Sequence, residues 1–529
     1  MILLAVSGAV LTLLSLCLLC AGGYLLALRL LPVEDRTGDA LSLAIATLLG
    51  ATAQALAVAL LLGALGHLFL PWALLLQLCL VVALLRWPRR LTAEDRRLPL
   101  ARMLGATRAR LGEHPALAVL GVSAIASEAL RGLLRPPLSW DSLMYHLLLA
   151  ASWLQSGDLH VVLGQHPINY YGYVPANGSL WLWWVLAPSH GELYANLAFL
   201  PQCLLLALGA GGIARQLGAR RLWPIASFLI LLTPTVARFA ASQYVDIFLG
   251  SCLLGATFFG LRWLRQPRAG SAALAGLGLG AAAGAKVLGV PYDLMLAAAL
   301  VVLTPGWRTR RAAHLLLAAL LAAALGSYFY LRNVALGAGP LALTCASYGA
   351  PETVVGGVVP LLPRPKSLLA PGGPPELPRQ ALDTFLGVTH PAALEMGVGP
   401  PAFLLLLLVP VLPFALPRGS RREGWVVALQ VAGELAFWLT VPDVRANEIF
   451  ANVRYLIPAL GLLCAGGVAM AESHAVPALG LELVALVVAA QDMLQLHSEM
   501  PPGVRIACGV LDLAVVALVV SPALRAFVR

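Results

Sequence analysis

Charge is what this chain has least of. Asp, Glu, Lys and Arg make up 11% of its 529 residues, against about 25% in an ordinary soluble domain. Lysine is nearly absent: Lys286 and Lys366 are the only two, so almost all positive charge is arginine. No C-x-x-C pair occurs outside Cys17–Cys20. That pair lies within an apolar run, which argues against a zinc module or a disulfide framework. A cleavable leader is not expected. The apolar run from Ile2 to Leu31 is longer than a leader core of about 7–15 residues and has no basic residues before it. The sequence shows no internal repeat, and no inverted pair of interrupted apolar segments of the kind that marks many transporters.

Apolar sequence fills the gap. Hydrophobic residues are 60% of the chain, and mean hydropathy is +0.85. Runs of about 20 apolar residues each suffice to cross a bilayer. The expected fold is therefore an all-α polytopic membrane protein of roughly 12–15 spans. Residues 1–112 read as a three-span N-terminal extension, 113–474 as the main transmembrane region, and 475–529 as C-terminal spans. Two long connections, about 135–190 and 335–400, exceed the usual loop length and are expected to be functional.

The net charge of +10 does not point to nucleic acid, because the arginines fall in short clusters between apolar runs. Arg86, Arg89 and Arg90 form one, Arg215, Arg220 and Arg221 another, and Arg262, Arg265 and Arg268 a third; Arg308, Arg310, Arg311, Arg418, Arg421 and Arg422 continue the series. Alternating spans put all of them on one side, as cytoplasmic loops require. The segments 135–190 and 335–400 then face outside.

This layout gives meaning to SWDSLMYHLLLAASWLQSGDLH (139–160). From Asp141 to Ser156 it is amphipathic, with Leu143, Leu147, Ala150 and Leu154 on one face. Ser139 or Asp141 is suited to cap its start and Gly157 its end. Such a helix is expected on the outer membrane surface, its apolar face in lipid. Asp141 then sits at the depth of a lipid head group, where a carboxylate can serve as general base; the bland reading is an N-cap. Asp246, at the outer start of its span, shares that side, and an ionisable residue in a span is a site candidate by default. Lys286, Arg332 and Arg454 also lie at outer helix ends. Each could stabilise a departing phosphate or simply snorkel. Tyr145, His146 and Tyr171 are candidate substrate contacts. The aromatic set Tyr170, Tyr171, Tyr173, Trp181, Trp183 and Trp184 could stack on sugar, but reads first as an interfacial belt.

The quoted stretch resembles the first outer loop of membrane glycosyltransferases of the GT-C fold, such as bacterial dolichyl-phosphate-mannose-protein mannosyltransferase-like and aminoarabinose-transferase-like proteins. The shared pattern is an acid after a membrane helix, then Tyr or His, then a juxtamembrane helix ending in a Gly-Asp-like turn. VPANGSLWLWW (174–184), QYVDIFLG (243–250), GAKVLGVPY (284–292), YLRNVALGAGPL (330–341) and NVRYLIPALGLL (452–463) resemble later family segments, in the family's order. The resemblance covers about 115–470. It implies transfer of a sugar from a polyprenyl-phosphate-sugar donor to a lipid, glycan or protein acceptor, on the outer face of the bacterial inner membrane. It places Asp141 at the catalytic acid and Asp246 at the acid of the second outer loop, with Lys286 and Arg332 near the donor phosphate. Ser142 departs from the pattern, since many members carry a second acid there, and four spans rather than one precede the loop.

No cofactor is identified. A divalent metal is left open but has no support in ligand spacing: His146 lies about 140° round an ideal helix from Asp141, and His160 and His166 form no zinc motif with it. Membrane lipid is the expected surrounding partner, and nucleic acid is not expected. Two other readings remain at this level. One is a transporter or flippase of a lipid-linked substrate. The other is a surface-glycan polymerase or ligase acting through Arg379 and His390 of the second long segment.

Overall fold

The computed structural model describes residues 2–87, 114–162, 169–304, 306, 309–338, 340, 408–439, 453–476, 480–481 and 484. The expected C-terminal spans of 475–529 lie outside these residues or nearly so, as do Arg379, His390, His166, Lys366 and most of the segment 335–400.

Helices carry the described chain in this order: α1 Ile2–Leu30, α2 Val33–Gly38, α3 Ala40–Ala64, α4 Leu70–Arg86, α5 Pro115–Leu134, α6 Leu147–Ser156, α7 Asn177–Ser189, α8 Leu200–Leu217, α9 Trp223–Leu231, α10 Pro234–Ala240, α11 Asp246–Arg265, α12 Ala269–Ala283, α13 Gly289–Leu303, α14 Thr309–Gly326, α15 Tyr328–Ala335, α16 Arg421–Leu439 and α17 Ile457–Ser473. Among the described residues, six helical stretches are long and apolar enough to span a bilayer. The pair α9 and α10, bent by 64°, is either a seventh, broken span or a re-entrant loop, and α4, α12 and α13 are shorter apolar helices. The chain is a multi-pass, all-α membrane protein.

The centre of the bundle is α11, which is buried along nearly its whole length and packs on α8, α12 and α17. Small residues let helices close up without lipid between them. A Cβ at Gly280 would lie 2.6 Å from the Ala322 carbonyl oxygen, and one at Gly276 would lie 2.4 Å from that of Ala318. These glycines set the close approach of α12 and α14. The N-terminal helices of 1–112 join the same hydrophobic core: α3 packs on α1, α7, α8 and α12.

The arginine clusters gather at one end. Asp39 caps α3 by accepting from the Ser42 amide at 3.1 Å, and its carboxylate also pairs with Arg215 and Arg262. Arg262 reaches Asp35, and Arg265 reaches Glu423. The Glu472 carboxylate accepts from the amides of Arg220, Arg221 and Leu222 at 2.8–3.1 Å, just ahead of α9. This ionic layer ties α2, α3, α8, α11, α16 and α17 together at the arginine-rich end. The opposite end, where α11 and α17 begin and α12 stops, holds the candidate site.

Two expectations need correction here. The segment after Asp141 does not lay its whole apolar face in lipid. Leu147, Leu149, Ala150 and Trp153 are buried against protein, whereas Leu143 and Leu148 are exposed. The reason is a π-helical turn, Ser142–His146, which shifts the phase of everything after it. Such turns interrupt helices often at functional positions. Nor do Trp181, Trp183 and Trp184 form an interfacial belt. All three are buried in α7, with Trp181 donating to the Ala198 carbonyl at 2.7 Å and Trp184 to that of Ala55 at 3.0 Å. Gly157 does end α6 as expected, at φ 77°, a left-handed conformation that glycine adopts without strain.

Candidate active site

Four charged side chains from four separate places meet at this end. Asp141 follows α5 and precedes the π-turn. Asp246 opens α11, Lys286 lies in the turn between α12 and α13, and Arg454 belongs to a 3₁₀ turn, Val453–Leu456, that leads into α17. Arg454 Nη2 donates to Asp141 Oδ2 at 2.8 Å. Its Nε stands 3.3 Å from Asp246 Oδ2, without hydrogen-bond alignment, so that contact is Coulombic. Lys286 Nζ donates to Asp246 Oδ1 at 2.8 Å. Both carboxylates and Arg454 are buried, and Lys286 is half-buried.

The quartet is electrically neutral, with two carboxylates set against two cations. That explains how it survives out of water. A lone charge removed from water costs several kcal/mol, and only close, well-satisfied pairing offsets this. Aromatic faces complete the enclosure. The Arg454 guanidinium lies 4.4 Å from the Tyr244 ring centroid and 5.2 Å from that of Tyr455. Lys286 Nζ lies 4.3 Å from the Tyr455 centroid. Cation–π attraction at desolvated sites is worth about 2 kcal/mol.

Backbone packing fixes the position of Lys286. Asn177, fully buried at the start of α7, donates its amide N–H to the Gly284 carbonyl at 2.8 Å and its side-chain NH₂ to that of Leu325 at 3.0 Å. Any Cβ at Gly284 would lie 2.1 Å from Asn177 Nδ2. Next to Asn177, Gly178 lets α7 press on Val245, the neighbour of Asp246.

Tyr145 donates its hydroxyl to Asp141 Oδ2 at 3.1 Å. Its ring is held between His146, at 3.9 Å between centroids, and Tyr171, stacked at 4.4 Å and 7°. Burial, reinforced by the Asp141 charge, keeps the Tyr145 hydroxyl protonated far above the usual range. Both contacts to Asp141 fall on Oδ2, so among the described residues Oδ1 carries none.

His146 is also buried, with Nδ1 3.1 Å from Ser179 Oγ. Burial first, then the Lys286 and Arg454 charges, hold its pKa well below the ordinary histidine range. It is neutral in the fold. The unfolded chain protonates near pH 6.5, so stability from this group is intact above that pH and is lost as pH falls through the depressed folded value. Wild-type protein should therefore lose stability from this source as pH falls below about 6.5. Thermal unfolding in detergent at several pH values, compared with His146→Gln, measures that difference.

Arg332 is placed apart from the quartet. It donates to the Gly172 carbonyl at 2.7 Å and to that of Leu159 at 3.3 Å, and its guanidinium lies 5.1 Å from the Phe329 ring centroid. His160 is paired with Asp158 at 2.7 Å on the exposed end of α6, away from His146. Among the described residues, no group of three His, Cys, Asp or Glu side chains is placed to hold a metal ion. Tyr244 and Tyr455, which line the quartet, were not among the sequence candidates. They are immediate neighbours of Val245–Asp246 and Arg454, but nothing in their spacing marks them.

Against solved structures, the chain is similar to the crystal structure of ArnT from Cupriavidus metallidurans in the apo state. TM-score is 0.50 at 18% identity, covering 80% of this chain and 73% of that one. This chain has a GT-C-like fold. The GT-C-like assignment rests on architecture, because at this identity the likeness speaks for the fold alone. No family model and no curated protein sequence matches the chain.

Proposed function

We propose that this GT-C-like protein is a glycosyltransferase that moves a sugar from a polyprenyl-phosphate-sugar donor to an acceptor hydroxyl at the outer face of the membrane. The observation that carries the reading is the neutral quartet Asp141–Arg454–Asp246–Lys286 at the end of the bundle opposite the arginine-rich layer. Arginine-rich ends favour the cytoplasm, which supports an outer position for the quartet.

The chemistry follows from charge balance. The acceptor oxygen attacks the anomeric carbon as Asp141 Oδ1 takes its proton. The bond from that carbon to the phosphate oxygen breaks, and its electron pair stays on the phosphate, which goes from one negative charge to two. Asp141 becomes neutral in the same event. Arg454 then loses the charge it was paired with just as a new one appears beside it, and it transfers to the phosphate. Lys286, held in place through Asp246, supplies the second cation. Fixed cations at a site of developing charge are worth about 10²–10³ in rate. A lipid acceptor fits a site at the membrane boundary, and the resemblance to aminoarabinose-transferase-like proteins points the same way.

The test is reconstitution of the purified protein in bilayers with undecaprenyl-phosphate-linked hexoses or pentoses and a crude envelope lipid fraction. Labelled sugar should move to lipid with release of undecaprenyl phosphate. Movement of the intact donor across the bilayer without cleavage would favour a flippase instead. The transporter reading has little to stand on here: the candidate charges lie at helix ends, and the described residues contain one bent pair.

A further inference from the structure

Arg332 and Asn333 join two parts of the outer end that are far apart in sequence. Besides the Arg332 contacts to Gly172 and Leu159, Asn333, itself buried, donates its side-chain NH₂ to the Tyr173 carbonyl at 2.7 Å. These bonds grip the 3₁₀ turn Asn169–Tyr173 from the side of α15. The turn is also pressed from below: a Cβ at Gly172 would fall 2.2 Å from the Val162 carbonyl oxygen. Tyr171, in the middle of the gripped turn, stacks on Tyr145, and Tyr145 donates to Asp141.

We propose that Arg332 and Asn333 are positioning residues for Asp141, acting through Tyr171 and Tyr145, and that Arg332 does not bind the donor phosphate. The geometry runs without a gap from guanidinium to carboxylate: Arg332 to the Gly172 carbonyl, Tyr171 beside it onto the Tyr145 ring, and the Tyr145 hydroxyl onto Oδ2. Arginine suits the first link because its planar fork serves two carbonyls at once, which a lysine ammonium on a flexible stem does not do as well. Asn333 secures the next residue of the same turn. Asp141 follows a helix end and heads a π-turn, and Asp141 shows no side-chain capping bond; Tyr145 and Arg454 are what orient it.

The inference rests on the proposed transferase reading, and the experiment separates the two. In the reconstituted assay, Arg332→Met should lower kcat by about 10–10²-fold, as loss of orientation does, with KM for the donor within about 2-fold. Binding of undecaprenyl phosphate alone, read by thermal shift or calorimetry, should be unchanged. Arg332→Lys should be intermediate. Asn333→Ala should fall in the same direction. Tyr171→Ala should match Arg332→Met. The Arg332→Met/Tyr171→Ala double variant should be no worse than either alone, because coupled residues are not additive. Two results overturn the clamp: weaker undecaprenyl phosphate binding in Arg332→Met while Tyr171→Ala is silent, or additive losses in the double variant. Asp141→Asn is run alongside. If the wild-type protein moves no sugar, the transferase reading fails; if wild type is active and Asp141→Asn is too, Asp141 is not the base and the clamp has nothing to position; if Asp141→Asn is inactive while the clamp variants behave additively, only the clamp fails.

Discussion

Asp141→Asn should abolish sugar transfer and, at the same time, tighten binding of undecaprenyl phosphate. The first half follows from removing a positioned base, a loss of about 10²–10⁴-fold. The second half follows from the quartet. In the resting protein Arg454 Nη2 is committed to Asp141 Oδ2 at 2.8 Å, so an incoming phosphate must compete with a carboxylate for the same guanidinium. Asparagine keeps the shape and can still accept the Tyr145 and Arg454 hydrogen bonds through its carbonyl, but it carries no charge. Arg454 is then left as an excess cation, with Asp246 and Lys286 neutralising each other. Removing a competing ion pair of this kind is worth about 1–3 kcal/mol, or roughly 10–10²-fold in affinity. Calorimetry with undecaprenyl phosphate on both proteins measures it. An inactive variant that binds the lipid phosphate more weakly than wild type would break the link between the two roles; an active one would remove Asp141 as base.

Arg454→Gln should be the most damaging single change to stability. It leaves Asp141 and Asp246, both buried, facing one another with only Lys286 for charge. Breaking a buried ion pair from one side costs about 3–5 kcal/mol because the surviving charge is stranded. The arginine also loses its faces on Tyr244 and Tyr455. Adding Asp141→Asn to Arg454→Gln restores neutrality, with Asp246 and Lys286 still paired at 2.8 Å. The double variant should therefore regain a large share of the lost thermal stability in detergent while remaining inactive. A double variant as unstable as Arg454→Gln alone would show that Arg454 acts by packing rather than charge.

What was legible in the sequence was mostly a matter of period and boundary. Helix ends, arginine sidedness and the grouping of Asp141, Asp246, Lys286 and Arg454 at one end all follow from where apolar runs stop. The same reasoning went astray where the chain leaves ideal geometry. An ideal helix of 3.6 residues per turn predicts the wrong buried face after Asp141, because the π-turn at Ser142–His146 adds a residue to one turn, and no composition signal marks it. The tryptophans of α7 look interfacial because Trp usually is. They are buried because α1, α3 and α6 pack against that helix, a property of neighbours distant in sequence. The contacts of Arg332 to the carbonyls of Gly172 and Leu159 likewise join segments distant in sequence and have no local signal.

The quartet's zero net charge has a consequence for any membrane that carries a voltage. Moving one elementary charge across a bilayer changes its energy by about 2.3 kcal/mol per 100 mV. A group whose charges sum to zero, confined to one boundary, couples hardly at all to that voltage. Its proton and its arginine shift over short distances beside one another, so little work is done by or against the field. A site built this way can run at the same rate in a fully polarised cell and in a depolarised one.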